Sequence, residues 1–321
     1  MNDKTLTFET ALASADGNVA ALAWRDAWRL QARNHPWMSA GLGLALVAVA
    51  LLLSAGIRDG LSGGGEPLRL AMLGGLAGFG ATALGALAGV VLRRLSARAE
   101  DSLLGFAAGM MLAASSFSLI LPGLAAAKEM TGSGALGALT VVGGMALGVL
   151  LMLGLDRFTP HEHDSSGPCG PGCERIGRVW LFVLAITLHN LPEGMAIGVS
   201  FAQGDMGVGL PLTGAIAIQD IPEGLAVVMA LRAAGVKAWP AVLLAGASGL
   251  MEPLGSLFGA GIAGGLALAY PVGLGLAAGA MIFVVSHEVI PETHRNGHQT
   301  HATLGLMAGF ALMMTLDTAL G

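Results

Sequence analysis

The sequence predicts an all-α polytopic membrane protein, and three observations carry that prediction. Hydrophobic residues make up 54% of the 321-residue chain and charged residues only 12%, whereas soluble domains are about a quarter charged. Apolar stretches of bilayer-spanning length, about 20 residues, recur along the chain. Fifty glycines, with abundant alanine, suit helices that pack backbone to backbone in lipid.

Nine spans are expected, at residues 37–57, 68–92, 102–124, 134–155, 178–203, 208–231, 238–261, 267–290 and 301–320. Residues 1–36 precede them as a cytoplasmic arm. Within it Trp24 and Trp28 stand one helical turn apart, with Arg25, Arg29 and Arg33 at the same spacing. That pattern suits a short helix on the inner leaflet, with a plain polar tail as the alternative. The first span, 37–57, contains Leu53-Ser54-Ala55, small residues of the kind found at a signal-peptide cleavage site. Its length and the leader before it favour a retained helix. Residues 58–321 then hold the remaining eight spans.

Charge sets the orientation. With residues 1–36 inside, thirteen Lys and Arg fall on the cytoplasmic side and only Arg58, Arg69 and Lys128 outside. By the positive-inside rule the N-terminus is cytoplasmic and the C-terminus is outside. No basic run exists, so nucleic acid is not an expected partner. The net charge of −5 arises mostly from buried acids.

The loop at 156–177 is the longest cytoplasmic connection. It gathers Asp156, His161, Glu162, His163, Asp164, Cys169 and Cys173 among Gly, Ser and Pro. Such a tract can catch metal transiently, or can be a flexible linker. Two cysteines in one loop are poor evidence for a disulfide framework.

The chemistry lies in two near-copies of one motif, 30 residues apart in successive spans: His189-Asn190-Leu191-Pro192-Glu193-Gly194 and Gln219-Asp220-Ile221-Pro222-Glu223-Gly224. On a helix, Glu193 neighbours His189 and Asn190, and Glu223 neighbours Gln219 and Asp220. Each glutamate thus stands between two ligands that diverge by about 100° around the axis, so it can bridge two cations. Each preceding proline removes one helix hydrogen bond. The next span adds Glu252, again followed by a proline, Pro253. Carboxylates at membrane depth are costly and mark ion pathways or proton relays. No Lys or Arg lies near either motif to neutralise them, so a metal cation is the simplest source of positive charge. Imidazole plus carboxylate suits zinc and neighbouring divalent ions. Met111, mid-way along its span, could add a thioether or simply pack.

HNLPEG, QDIPEG and Ser248-Gly249-Leu250-Met251-Glu252-Pro253 together resemble the ZIP (Zrt/Irt-like) family of divalent metal transporters, bacterial type. The resemblance covers residue 68 to the end and leaves the first span as an addition to the usual eight. It implies a bundle of inverted three-helix repeats around the motif-bearing pair, working by alternating access, with one helix group sliding past another. It also implies one metal position among Met111, His189, Glu193, Gln219 and Glu223. A second would lie among Asn190, Asp220 and Glu252, sharing Glu193 and Glu223. His287 and Glu288 look like cytoplasmic exit ligands, and Asp317 and Ser118 like residues of the outer mouth. Where some relatives carry an acid at the outer loop, this chain has Ala125.

The expected function is therefore uptake of a divalent metal, zinc first and also cadmium or iron, across a bacterial inner membrane. Metal ions and the bilayer are the expected partners, no organic cofactor is needed, and a homodimer is left open. No phosphate-binding G-x-x-x-x-G-K-[ST] loop exists, so ATP is not the direct energy source. The rival reading is an intramembrane zinc hydrolase, which needs H-E-x-x-H on one helix. His287-Glu288 is followed by Pro291 where the second His should stand, and the chain is read as a transporter rather than an enzyme.

Overall fold

The computed structural model describes residues 24–61, 65–92, 96–159, 161–163, 167–169, 178–233, 235–264, 266–294 and 297–320. Helix α1, Trp24–Asn34, leads through His35 into α2, Pro36–Leu61. A proline is well placed at the first position of a helix, where its missing N–H costs nothing. The side chains of Trp24, Arg25 and Trp28 lie outside the described residues, so only the helix expected there is seen. Helix α3 covers Gly65–Val91.

The next span is longer than hydropathy suggests. It begins as α4, Ala97–Ala114, passes through a π-helical turn at Ser115–Ile120, and ends as α5, Leu121–Thr131. Caps, rather than the apolar window, set its limits. The Ser96 hydroxyl accepts from the Ala99 N–H at one end, and Gly132, left-handed at φ 66°, closes the other. Helix α6 runs Gly134–Phe158, so Asp156 belongs to a helix end and not to the loop as expected. Within the loop, β1 (His161–His163) pairs antiparallel with β2 (Gly167–Cys169), His161 opposite Cys169. Part of the expected linker is thus a hairpin. The side chains of both strands, and Cys173, lie outside the described residues.

The motifs sit on α7, Arg178–Phe201, and α8, Met206–Ala233. The seventh expected span is two helices, α9 (Ala238–Ser248) and α10 (Met251–Ala263), separated at Gly249-Leu250. Pro253, which has no N–H to donate, falls in the first turn of α10, where a proline is tolerated. Glu252 is thereby placed at a helix start. Helix α11 (Ala269–Val284) passes through a second π-helical turn, Val285–Val289, into α12 (Ile290–Thr293), and α13 covers Gln299–Leu320. Eight helical stretches among the described residues are long and apolar enough to cross a bilayer. The 24-residue α7 occupies the position of the remaining expected span.

The packing repeats itself. Helix α3 lies along α8 as α10 lies along α7, and α4 lies along α13 as α11 lies along α6. Exchanging α3, α4 and α6 for α10, α11 and α13, and α7 for α8, reproduces the same pairs. Both π-helical turns interrupt equivalent spans. The two sets begin five crossings apart, so they run in opposite directions: the inverted three-helix repeat expected from the resemblance. Helix α2 stands outside this scheme, against α6 and α10, with Leu42 facing Gly154 and Leu53 facing Gly261.

Glycine permits the closest pairs. A Cβ on Gly105 or Gly109 of α4 would strike the α13 backbone, and one on Gly305 or Gly309 of α13 would strike α4. Small residues allow such approach, which in lipid replaces the hydrophobic effect as the source of packing energy.

Candidate metal centre

Helices α7 and α8 deliver the motif side chains to one buried place. His189, Asn190 and Glu193 are buried on α7, and Gln219 and Asp220 on α8, while Glu223 is partly buried. Both helices continue through Pro192 and Pro222, so the i, i+3, i+4 geometry survives the prolines.

On one side, His189, Glu193 and Glu223 each offer a ligand atom, and these atoms lie within 4.8 Å of one another. His189 Nε2 is 3.2 Å from Glu223 Oε1, and Gln219 Nε2 donates to Glu193 Oε1 at 2.5 Å. That donation fixes the Gln219 amide with its oxygen free of it.

On the other side lie Asp220 and Glu252, and Asn190 is buried on α7 next to His189. Asp220 Oδ2 and Glu252 Oε2 both crowd Gly78 of α3. A Cβ there would collide with Glu252 Oε2 and come within 3.3 Å of Asp220 Oδ2. Thr82, one turn further along α3, donates from Oγ1 to Glu252 Oε1 at 2.6 Å.

Among the described residues, Asn190 Nδ2, Gln219 Oε1, both Asp220 oxygens and Glu252 Oε2 are buried without a hydrogen-bond partner. Buried polar atoms are otherwise almost always paired, because each orphan costs about 1–3 kcal/mol. Four of these five are acceptors, and carboxylates approach this closely only with a proton or a cation between them. The donor set fits divalent cations: imidazole and carboxylates on one side, oxygens on the other.

The remaining expected residues are distributed unevenly. Met111 is fully buried in the main apolar core with Ala215 and Ile216 of α8. His287 and Glu288, expected as exit ligands, both lie within the second π-helical turn and face different surroundings. Glu288 Oε2 lies 4.0 Å from His189 Nδ1, whereas His287 is exposed and stacks on Phe283 with centroids 5.0 Å apart. Ser118 and Asp317 do meet: Ser118 Oγ donates to Asp317 Oδ1 at 2.5 Å. Asp156 is half-buried at the end of α6, and His161 and His163 stand on β1. Sequence reasoning missed Thr82 and Gly78. Their i, i+4 spacing on α3 was visible, but which helix that face would meet was not.

Comparison with known proteins gives a consistent picture. The family model described as "ZIP Zinc transporter" matches residues 159–317. Zinc transporter ZIPB of Bordetella bronchiseptica is 66% identical over 298 residues, covering 92% of this chain and 96% of that protein. Zinc transporter GufA of Myxococcus xanthus is 42% identical over 241 residues, 75% of this chain and 95% of its own length. Zinc transporter ZIP11 of Homo sapiens is 31% identical over 335 residues, 78% and 97% respectively.

Proposed function

The chain belongs to the ZIP family of zinc transporters, and from that membership we propose that it carries zinc across the membrane into the cytoplasm through a two-metal centre. His189, Glu193, Gln219 and Glu223, with Met111 as the expected thioether, hold one ion. Asn190, Asp220 and Glu252 hold the second, with Glu193 and Glu223 shared. The observation that carries the reading is the row of orphaned buried acceptors beside the His189, Glu193 and Glu223 cluster. Cadmium and iron(II) suit overlapping ligand sets and are further substrates on the same grounds.

Inward transport across a bacterial inner membrane is the direction that the membrane potential favours. Each charge moving to a negative interior gains about 2.3 kcal/mol per 100 mV, and a divalent ion gains roughly twice that. Alternating access has a physical basis in the packing. The motif helices pack with α3, α9 and α10, and the helices α4, α5, α6, α11 and α13 form a second group against them. Glu288 lies beside His189 on the boundary between the two groups.

The test is uptake of labelled zinc by proteoliposomes holding the purified protein. Wild type accumulates zinc, His189→Ala loses most uptake, and Asn190→Ala loses less, because imidazole is the stronger zinc ligand of the two. Well-folded wild-type protein that moves no zinc would refute the reading.

A further inference from the structure

We propose that Thr82 is a positioning residue that makes the oxygen-rich position selective for a small cation, by holding one oxygen of Glu252 in a hydrogen bond. The proposal rests on the two-metal reading above. Thr82 Oγ1 donates to Glu252 Oε1 at 2.6 Å, while Glu252 faces the Asp220 carboxylate, and Glu252 Oε2 and Asp220 Oδ2 both point at Gly78. Both carboxylates are buried, and so is the Thr82 side chain.

The backbone of Thr82 is closely packed, and a glycine leaves its side chain room to reach Glu252. Gly224 of α8 packs so tightly on the Thr82 carbonyl that a Cβ there would overlap it. A Cβ at Gly249, at the break between α9 and α10, would come within 3.0 Å of Thr82 Cβ and 3.3 Å of Glu252 Oε1. A β-branched side chain has few χ1 states in a helix, and a side chain at Gly249 would intrude on both Thr82 and Glu252 Oε1. Helix α3 thus supplies a fixed donor and, at Gly78, the space into which the free oxygen projects.

The consequence is chemical. With one lone pair of Oε1 engaged by Thr82, Glu252 presents Oε2 first, and bidentate binding has to compete with that hydrogen bond. Zinc is content with about four ligands, whereas larger cations take six to eight oxygens and use bidentate carboxylates. Freeing Oε1 therefore helps a larger ion such as cadmium more than it helps zinc. Groups that orient metal ligands typically contribute about 10–100-fold in affinity.

The experiment compares wild type, Thr82→Val and Thr82→Ser in proteoliposomes and by calorimetry, with zinc alone and cadmium alone as probes. Valine keeps the shape and removes the donor, whereas serine keeps the donor. We expect Thr82→Val to weaken the oxygen-rich step of the zinc isotherm by about 10–100-fold, and to move the cadmium-to-zinc uptake ratio several-fold towards cadmium. Thr82→Ser should restore both. A Thr82→Val protein with the wild-type ratio and isotherm overturns the proposal, while zinc uptake by wild type in the same preparation shows that the transport reading still holds. If Thr82→Val does not reach the membrane, infrared difference spectra of wild type with and without zinc decide. The carboxylate band lost in Glu252→Gln should show the wide splitting of monodentate binding. A bidentate splitting overturns the proposal.

Discussion

At the scale of single residues, the centre depends on what is absent as much as on what is present. Gly78 contributes no ligand, yet any side chain there displaces Glu252 Oε2. Overpacking of a tight site costs about 1–3 kcal/mol, and a buried carboxylate can yield only by turning away. Gly78→Ala should therefore lose the weaker, oxygen-rich zinc step while the step owed to His189 remains; calorimetry that still finds both steps would contradict this. The motif residues were legible in the sequence because helical spacing puts them on one face whatever surrounds them. Thr82 was not, since a threonine in an apolar span is ordinary until the helix opposite is known. The divergence of His287 and Glu288 was hidden for a related reason. A π-helical turn changes the phase of a helix locally, and nothing in Val285-Ser286-His287-Glu288-Val289 announces it.

At the scale of elements, hydropathy located the spans but misplaced their ends. Ser96 and Gly132 stretch one span well past its apolar window, and Gly249 divides another so that Glu252 opens a helix. Capping and backbone freedom are local chemistry that an apolar average cannot register. The hairpin His161–Cys169 is the clearest element not foreseen. It follows α6, whose Arg157 carbonyl accepts from Gln31 Nε2 of α1 at 3.1 Å, so the arm, the end of α6 and the hairpin adjoin at one end of the bundle. Strand β1 packs against α7, but among the described residues the buried ligands include none from the hairpin. Replacing His161, His163, Cys169 and Cys173 together should change apparent zinc affinity yet preserve substantial uptake. Complete loss from a well-folded quadruple variant would place the hairpin on the transport route.

At the scale of the whole molecule, the inverted repeat could be expected only from the family resemblance. The two halves share no sequence pattern strong enough to reveal which helices pair, because glycine on several faces of a helix permits many partners. The pairing of α4 with α13 chooses one of them, and it has a consequence for how this gene can change. Every single-base change to a glycine codon that replaces the residue introduces at least a Cβ. At Gly105, Gly109, Gly305 and Gly309 that atom meets the backbone of the opposite helix, whereas at Gly43, Gly80, Gly143 and Gly214 it meets nothing within 4 Å. A saturation library selected for zinc uptake should therefore show the first four columns nearly empty, alanine included, and the second four tolerant. Uniform tolerance across both groups would mean that the helices can separate at little cost. If the contrast holds, the α4–α13 contact has no conservative substitutions, and drift in this chain is channelled towards its lipid-facing glycines.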